Sequence, residues 1–185
     1  KNGPDPDYSG AILKPNPKDA SPAPNNPIKS NNPNDALNWY QAYGIRNSFG
    51  LGVDPVTGTL WDTENGEKSH DEINIVTPGF NSGWKLTMGP ISDSGITQND
   101  LVNFPNSHYK DPVLSFADSF GITDIEFLNS DKLGTEYANN AFVGDYGNGN
   151  LYRFQLNEQR TDFKHDNPGL EDHVVDNVDE LDSIL

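Results

Sequence analysis

The sequence of 185 residues is long enough for a single domain, and its 17 glycines, 14 prolines and 33% hydrophobic content favour short strands and turns over long helices. Its net charge of −16 argues against nucleic acid and anionic membranes as partners. The absence of cysteine excludes disulfides and thiolate metal sites, and no apolar run reaches the roughly 18 residues that a membrane-spanning helix needs.

Residues 1–42 are dominated by a long loop rich in proline and asparagine. Only 9–13 is typical of a strand, and we expect it to end a sheet that precedes the loop. The prolines within 14–34 remove hydrogen-bond donors and fix φ, which prevents regular ladders. A short helical turn is predicted at 35–40, just before the next sheet begins.

Residues 43–84 carry the clearest strand pattern in the sequence. From 49 to 53, apolar residues alternate with small or polar ones, and this period of two predicts a half-buried strand. A turn at 54–58 contains proline and glycine and leads into a second strand, and a third strand follows the break near Gly66. Three short strands joined by tight turns predict an antiparallel β-meander.

Residues 85–112 are predicted to be an inserted loop, after which 113–165 repeats the meander as the next sheet. The strands of this second copy are predicted at 113–116, 124–127, 141–145 and 150–156. They match the first copy at an offset of about 74 to 80 residues, which indicates a repeat architecture.

The C-terminal segment, 166–185, is strongly acidic. From Leu170 to Leu185 its leucines and valines stand at helical spacing, with aspartate and glutamate on the other side. This pattern predicts an acidic amphipathic helix that packs against a sheet.

Four short motifs stand in order along the first meander. They are Gly44-Ile45-Arg46-Asn47, Glu64-Asn65-Gly66-Glu67, Asp71-Glu72-Ile73-Asn74 and Gly79-Phe80-Asn81-Ser82-Gly83-Trp84. In this order and spacing they resemble the glucose/sorbosone dehydrogenase family, soluble quinoprotein sugar dehydrogenases built as six-bladed β-propellers, and most of all its archaeal members. The resemblance implies an all-β fold of four-stranded antiparallel blades, here with a short C-terminal helix.

About two to three blades of the six are present in this sequence. They cannot close a ring, because open ends would expose unpaired strand edges. A complete member of the family needs roughly twice this length or more. The sequence also begins at Lys1 without a methionine, so we expect it to be part of a longer chain, from which a leader could have been removed. Either the remaining blades of that chain or further copies in a homo-oligomer would complete the propeller.

The resemblance implies that Arg46 and Asn47 bind pyrroloquinoline quinone (PQQ), with Asn65 contributing to the same site. The chemistry is reasonable, because a guanidinium pairs with a carboxylate of this tricarboxylate cofactor in a bidentate fork and an amide adds donors. The alternative is that Arg46 is structural and ties down the acidic loop at Asp62 or Glu64.

The resemblance also implies a calcium ion held by the backbone carbonyls of Gly66 and Glu67. Glu67 stands where the family usually has proline, which puts the rigidity of the loop in doubt but keeps the carbonyl. Asp71 and Glu72 match a pair that contributes to additional calcium sites in relatives. Calcium takes oxygen ligands and would polarise the quinone carbonyl as a Lewis acid. The alternative is that Asp71 closes a turn and Glu72 faces water.

Two features depart from the family. The histidine that serves as catalytic base would lie upstream of Lys1, so the catalytic residue is unknown, and the lysine that binds the quinone in the second matching blade has no equivalent in 144–150. In that hairpin Asp145 would repel a carboxylate cofactor unless calcium intervened. The hairpin could instead line a sugar site, with Tyr146 stacking on a pyranose, or be a plain glycine-rich turn.

The predicted function of the whole protein is oxidation of a sugar or polyol at PQQ, with electrons passed to an external acceptor. We expect the protein to be extracellular or periplasm-like and associated with the cell surface, and this stretch alone to be inactive. The alternative is a non-catalytic, calcium-stabilised extracellular propeller that binds a glycan or a protein. The missing lysine and the acidic Asp145 favour that alternative.

Overall fold

The computed structural model describes Gly3 and residues 6–185, so Lys1, Asn2, Pro4 and Asp5 of the predicted Pro-rich segment lie outside the described residues. The chain divides into two compact units. The first comprises Lys1–Asn47 and Val76–Asp111, and the second comprises Ser48–Ile75 and Pro112–Leu185.

Short strands make up most of the regular structure. In chain order they are β1 (Ala11–Leu13), β2 (Tyr40–Tyr43), β3 (Ser48–Val53), β4 (Leu60–Glu64), β5 (Ser69–Ile75), β6 (Phe80–Asn81), β7 (His108–Tyr109), β8 (Leu114–Asp118), β9 (Ile122–Phe127), β10 (Ala141–Asp145), β11 (Leu151–Leu156), β12 (Phe163–Lys164) and β13 (Val174–Val175).

Helical structure is limited to single turns. Short 3₁₀ helices occur at Ala36–Trp39, Ile91–Ser94, Gln98–Asp100 and Pro168–Asp172, and the one α-helix of the described residues is α1 (Val178–Asp182). None of these helices is long and apolar enough to cross a bilayer.

The continuous helix predicted from Leu170 to the C-terminus is wrong, because three local features divide that segment. His173 adopts a left-handed conformation with φ of 64° and ends the preceding 3₁₀ helix. The next two residues, β-branched valines, form β13. The side chain of Asn177 then accepts a hydrogen bond from the N–H of Glu180 and begins α1, which has only five residues.

The first unit contains a four-stranded sheet in the order β1–β2–β6–β7. β1 pairs antiparallel with β2, as a blade requires, but the β2–β6 and β6–β7 pairs are parallel. The long loop between β1 and β2 lacks regular strands, as predicted from its prolines, and holds only an isolated bridge between Pro15 and Pro22.

The second unit contains the two predicted meanders as two sheets. One has the order β13–β8–β5–β4–β3 and the other β12–β11–β10–β9. The repeat of β3–β4–β5 by β9–β10–β11 is confirmed, since both sets pair antiparallel. The strand predicted at 113–116 belongs to the first of these sheets rather than the second, because β8 pairs antiparallel with β5.

The core of the second unit lies between these sheets. Gly50 and Gly52 of β3 allow the close approach of β9, because a Cβ at either position would come within 2.6 Å of a backbone atom of that strand. Aromatic rings fill the interior: Phe163 stacks on Phe154 with ring centroids 4.4 Å apart and on Trp61 at 5.4 Å. The loop after β4, which carries Asn65, Gly66 and Glu67, belongs to this unit.

Candidate functional site

The loop between β4 and β5 holds three predicted site residues. Asn65 and Gly66 are buried, whereas Glu67 is exposed. The loop turns so tightly that a Cβ on Gly66 would collide with the carbonyl oxygen of Ser69, so only glycine fits there. The loop therefore makes its tight turn without the proline that the family usually has at the position of Glu67.

Asp71 is the residue that fixes this loop. Its carboxylate is fully buried and accepts hydrogen bonds, at 2.6–3.2 Å, from five donors: the N–H groups of Gly66, Phe120, Gly121 and Ile122 and the hydroxyl of Ser119. Both oxygens are used, which is the arrangement of a carboxylate that organises two loops. The turn-closing alternative for Asp71 therefore agrees with the geometry, and its role as a calcium ligand stays a prediction.

Glu72 belongs to a buried acidic row on one face of its sheet. In register, Glu72 lies opposite Glu64, and Asn74 lies opposite Asp62. All four are nearly or fully buried, and the amide of Asn74 donates to Glu72 at 3.2 Å. The alternative that Glu72 faces water is wrong, because the side chain has no exposed surface.

Asp62 is the most unusual member of that row. Neither carboxylate oxygen has a hydrogen-bond donor in good geometry among the described residues, although the side chains of Ser48 and Asn74 lie near enough to ease its ionisation. Burial, followed by repulsion from Glu64, raises the pKa of Asp62 well above its usual value. The sequence analysis named Asp62 only as a possible partner of Arg46 and missed its burial beside Glu64, although the alternation along Trp61-Asp62-Thr63-Glu64 places both acids on one face.

Arg46 and Asn47 belong to the first unit, in the turn after β2. The guanidinium of Arg46 lies over the indole ring of Trp84, 5.7 Å from its centroid. Such a cation–π contact restrains the side chain, and Arg46 is half-buried. Asn47 is exposed. Trp84 closes the fourth motif, and sequence reasoning had given it no role.

The calcium ion predicted at Gly66 and Glu67 would bind their backbone oxygens. Among the described residues, no group of three or more histidine, aspartate or glutamate side chains is arranged to hold a metal ion. Calcium readily accepts carbonyl ligands, so the donor type predicted at Gly66 and Glu67 is compatible with this finding. The two carbonyls alone would leave most of its coordination to water or to a bound molecule.

The hairpin between β10 and β11 uses Asp145 internally. One carboxylate oxygen accepts from the hydroxyl of Tyr152 at 2.6 Å, and the other from the N–H groups of Asn148 and Gly149 at 2.5 and 3.1 Å. Burial and the adjacent carboxylate raise the pKa of Tyr152 to about 12, so its hydroxyl keeps its proton and donates to Asp145. Asp145 is thus committed to its own hairpin, which weakens the expected repulsion of a carboxylate cofactor.

Comparison with known proteins identifies the family. The glucose/sorbosone dehydrogenase family model matches residues 5–178. The aldose sugar dehydrogenase YliI of Escherichia coli K12 is 34% identical over 103 residues, which are 56% of this chain and 28% of that protein. Quinoprotein glucose dehydrogenase B of Acinetobacter calcoaceticus is 34% identical over 104 residues, which are 56% of this chain and 20% of that protein.

Solved structures agree with this assignment. The PQQ-bound aldose sugar dehydrogenase of Streptomyces coelicolor has a TM-score of 0.59 at 25% identity, covering 83% of this chain and 36% of its own. The apo form of the E. coli soluble aldose sugar dehydrogenase also has a TM-score of 0.59 at 25% identity, covering 78% of this chain and 40% of its own. The all-β fold and its partial β-propeller are thereby confirmed, and this chain is a member of the glucose/sorbosone dehydrogenase family.

Proposed function

We propose that the whole protein oxidises a sugar or polyol with PQQ and calcium. This chain matches 28% of the length of one curated relative and 20% of the other. The observation that carries the proposal is that contacts within the structure hold the motif residues in place. Arg46 is restrained on Trp84, and the loop at Asn65 and Gly66 is fixed by Asp71. Membership of a family that includes quinoprotein dehydrogenases supports the same conclusion.

The cofactor-binding roles follow from the donors that these residues carry. Arg46 has five N–H donors in a planar fork that matches a carboxylate, and its charge is permanent. Asn47, exposed in the same turn, adds an amide donor. Asn65 adds a second amide from the loop after β4. A guanidinium and amides are the donors that neutralise and orient the carboxylates of a quinone.

The calcium-binding role is proposed for the carbonyl oxygens of Gly66 and Glu67. Asp71 is a poor ligand in this arrangement, because five donors already surround its two oxygens. Glu72 keeps its predicted part in an additional calcium site, where its buried carboxylate would need a compensating charge.

The chemistry that PQQ and calcium supply when bound is acceptance of a hydride from the substrate carbon. The residues of this chain would bind and orient the cofactor. The base that removes the proton from the substrate hydroxyl is proposed to be a histidine upstream of Lys1. Electrons would leave to an external acceptor. Export to a periplasm-like or cell-surface location and an archaeal source also remain proposals that follow from the resemblance.

The second candidate is a non-catalytic, calcium-stabilised propeller that binds a glycan or a protein. The observation that favours it is the hairpin 144–150, which offers no lysine to a quinone. The negative charge of Asp145 was the other argument for this candidate. It is now a weaker argument, because the carboxylate is hydrogen-bonded within the hairpin.

An equilibrium titration of the purified full-length protein with PQQ, in the presence of calcium, tests the proposal. Trp84 lies beneath Arg46, so quinone binding should quench its fluorescence. Replacing Arg46 with lysine keeps the charge but loses the fork, and we expect affinity to fall about tenfold or more. Arg153→Lys, a change elsewhere in the chain, is the matched control. Equal affinity in both variants would contradict the assigned role of Arg46.

A further inference from the structure

Asparagine followed by glycine is the dipeptide in which a protein backbone most readily modifies itself. The backbone nitrogen of the glycine attacks the side-chain carbonyl carbon of the asparagine, and glycine has no Cβ to hinder the approach. Two such pairs stand among the described residues, Asn65-Gly66 in the loop after β4 and Asn148-Gly149 in the hairpin between β10 and β11. The fold gives these two pairs opposite surroundings.

The pair Asn65-Gly66 is tightly packed. Asn65 is only 9% exposed, and the N–H of Gly66 donates to Asp71 at 2.9 Å. Four further donors reach the carboxylate of Asp71, which leaves it a poor acceptor for a proton. The carbonyl oxygen of Ser69 also lies directly against Gly66. This packing opposes the rotation that would bring the side chain of Asn65 onto the glycine nitrogen.

The pair Asn148-Gly149 is open to solvent. Both residues are exposed, and a Cβ on Gly149 would meet no atom within 4 Å. Gly149 has a φ of 74°, a conformation that glycine adopts without strain. The side chain of Asn148 can therefore rotate towards the nitrogen of Gly149 without displacing a neighbour.

Asp145 places a base at the reacting nitrogen. Its Oδ1 accepts a hydrogen bond from the N–H of Gly149 at 3.1 Å, within the reach that proton transfer requires. Its Oδ2 accepts from the hydroxyl of Tyr152 at 2.6 Å, and this buried contact fixes the orientation of the carboxylate. The same Oδ1 accepts from the N–H of Asn148 at 2.5 Å, so the carboxylate lies between the two residues that react.

We propose that Asn148 is a self-modification site, at which the hairpin converts its own asparagine into aspartate and isoaspartate. Asp145 takes the proton from the nitrogen of Gly149 as that nitrogen forms a bond to Cγ of Asn148. The bond from Cγ to Nδ2 then breaks, Nδ2 receives the proton from Asp145, and ammonia leaves a cyclic succinimide. Water opens the ring at one of its two carbonyls, giving aspartate or isoaspartate.

The product changes the hairpin in two ways. It carries a new carboxylate next to Asp145, and in isoaspartate the backbone runs through the former side chain and gains a methylene. The reaction consumes water and releases ammonia, and it requires neither quinone nor calcium. It is therefore independent of the proposed oxidation, and either proposal can fail while the other stands.

The experiment is peptide mapping by mass spectrometry after incubation of the full-length protein in heavy-oxygen water at neutral pH. Each asparagine that passes through a succinimide becomes labelled. We expect Asn148 to react at least about tenfold faster than Asn65, which has the same following residue and is the internal control. In urea the two rates should be similar, because the fold that separates them is lost. Equal rates in the folded protein, or no labelling of Asn148 over a period in which the urea-unfolded chain reacts, would overturn the proposal.

Variants test the base and the reacting side chain. Asp145→Asn cannot take the proton, so the rate at Asn148 should fall about tenfold or more. A faster reaction in Asp145→Asn would show that this residue only restrains the hairpin, and it would overturn the role given to Asp145. Asn148→Gln lengthens the side chain by a methylene and should abolish labelling at this position. Asn129→Gln, at an exposed position elsewhere, is the matched control and should leave the rate at Asn148 unchanged.

Discussion

The N–H of Gly66 donates a hydrogen bond to Oδ1 of Asp71 at 2.9 Å, which ties the loop after β4 to the strand that follows it. The same carboxylate also binds the loop after β8 through Phe120 and Gly121. One buried side chain thus orders both the proposed calcium loop and the loop after β8. Asp71 positions both loops, and its role as a calcium ligand stays a prediction.

Replacing Asp71 with asparagine should destabilise the protein by about 3 kcal/mol, because an amide nitrogen would face N–H donors that now meet a carboxylate. The measurement is the urea unfolding of the full-length protein. Asp131→Asn, at an exposed position, should change the free energy of unfolding by no more than about 0.5 kcal/mol. A similar small change for Asp71→Asn would show that the five donors find other partners.

The calcium proposal predicts that the side chain of Glu67 is dispensable. Glu67→Gln keeps the backbone carbonyl and removes only the exposed carboxylate, so calcium affinity should change by less than about threefold. Gly66→Ala should lower it by about tenfold or more, since a Cβ collides with the Ser69 carbonyl and distorts the loop. Calorimetric titration of the full-length protein with calcium makes both comparisons. A large loss in Glu67→Gln alone would mean that the carboxylate is the ligand.

Asp54 and Arg160 form a buried bidentate ion pair in the second unit, with N–O distances of 2.7 and 2.8 Å. Removing either partner should cost about 3 kcal/mol, since the remaining charge is left buried and unpaired. A double-mutant cycle with Asp54→Asn and Arg160→Gln, followed by urea unfolding, should give a coupling energy above about 1.5 kcal/mol. Strictly additive effects would mean that the pair contributes no specific interaction.

The same pair predicts a pH dependence. Burial alone raises the pKa of Asp54, but the hydrogen bonds from Arg160, Val56 and Thr57 outweigh it and the net pKa is lowered. A lowered pKa in the folded state gives stability that is complete above the unfolded value of about 3.9 and is lost as pH falls through the folded value. The deficit of Asp54→Asn should therefore be constant near neutral pH and shrink below about pH 4. A deficit that persists at low pH would exclude the charged pair as its cause.

Asp62 should behave in the opposite way. Burial and Glu64 raise its pKa, so the folded state holds the proton more tightly and stability declines as pH rises from about 4 towards the raised value. Asp62→Asn removes this decline and should increase the free energy of unfolding at pH 7 by about 1 kcal/mol. The two proteins should converge below about pH 4. Urea unfolding at pH 4 and pH 7 makes the comparison, with the exposed Asp166→Asn as control. Destabilisation of the protein by Asp62→Asn at pH 7 would instead show that the charged carboxylate has adequate hydrogen-bond donors.

The sequence was sufficient for the repeated meander, because period-two alternation and turn residues are local signals. It was insufficient for β8, whose pairing with β5 spans residues 76–113, including the predicted insertion 85–112, and depends on tertiary contacts. The continuous helix predicted from Leu170 onward was wrong for a related reason. The left-handed conformation of His173 and the pairing of β13 with β8 interrupt the helix despite the helical spacing of the apolar residues.

For the candidate site, the motifs singled out Arg46 and the loop at Gly66, but they could not show what each side chain contacts. Asp71 had two interpretations, and only the positions of Ser119 and Phe120, some 50 residues later, favour one of them. Trp84 was part of a motif, yet its contact with Arg46 requires the folded turn. Contacts between residues distant in sequence are the part that pattern analysis does not supply.

The most direct test of the central claim is aldose-dependent reduction of a redox dye by the full-length protein after addition of PQQ and calcium. We predict dye reduction that requires both additions and falls about tenfold or more in Arg46→Lys. A well-folded full-length protein that binds no quinone and reduces no dye with any aldose or polyol would contradict the account.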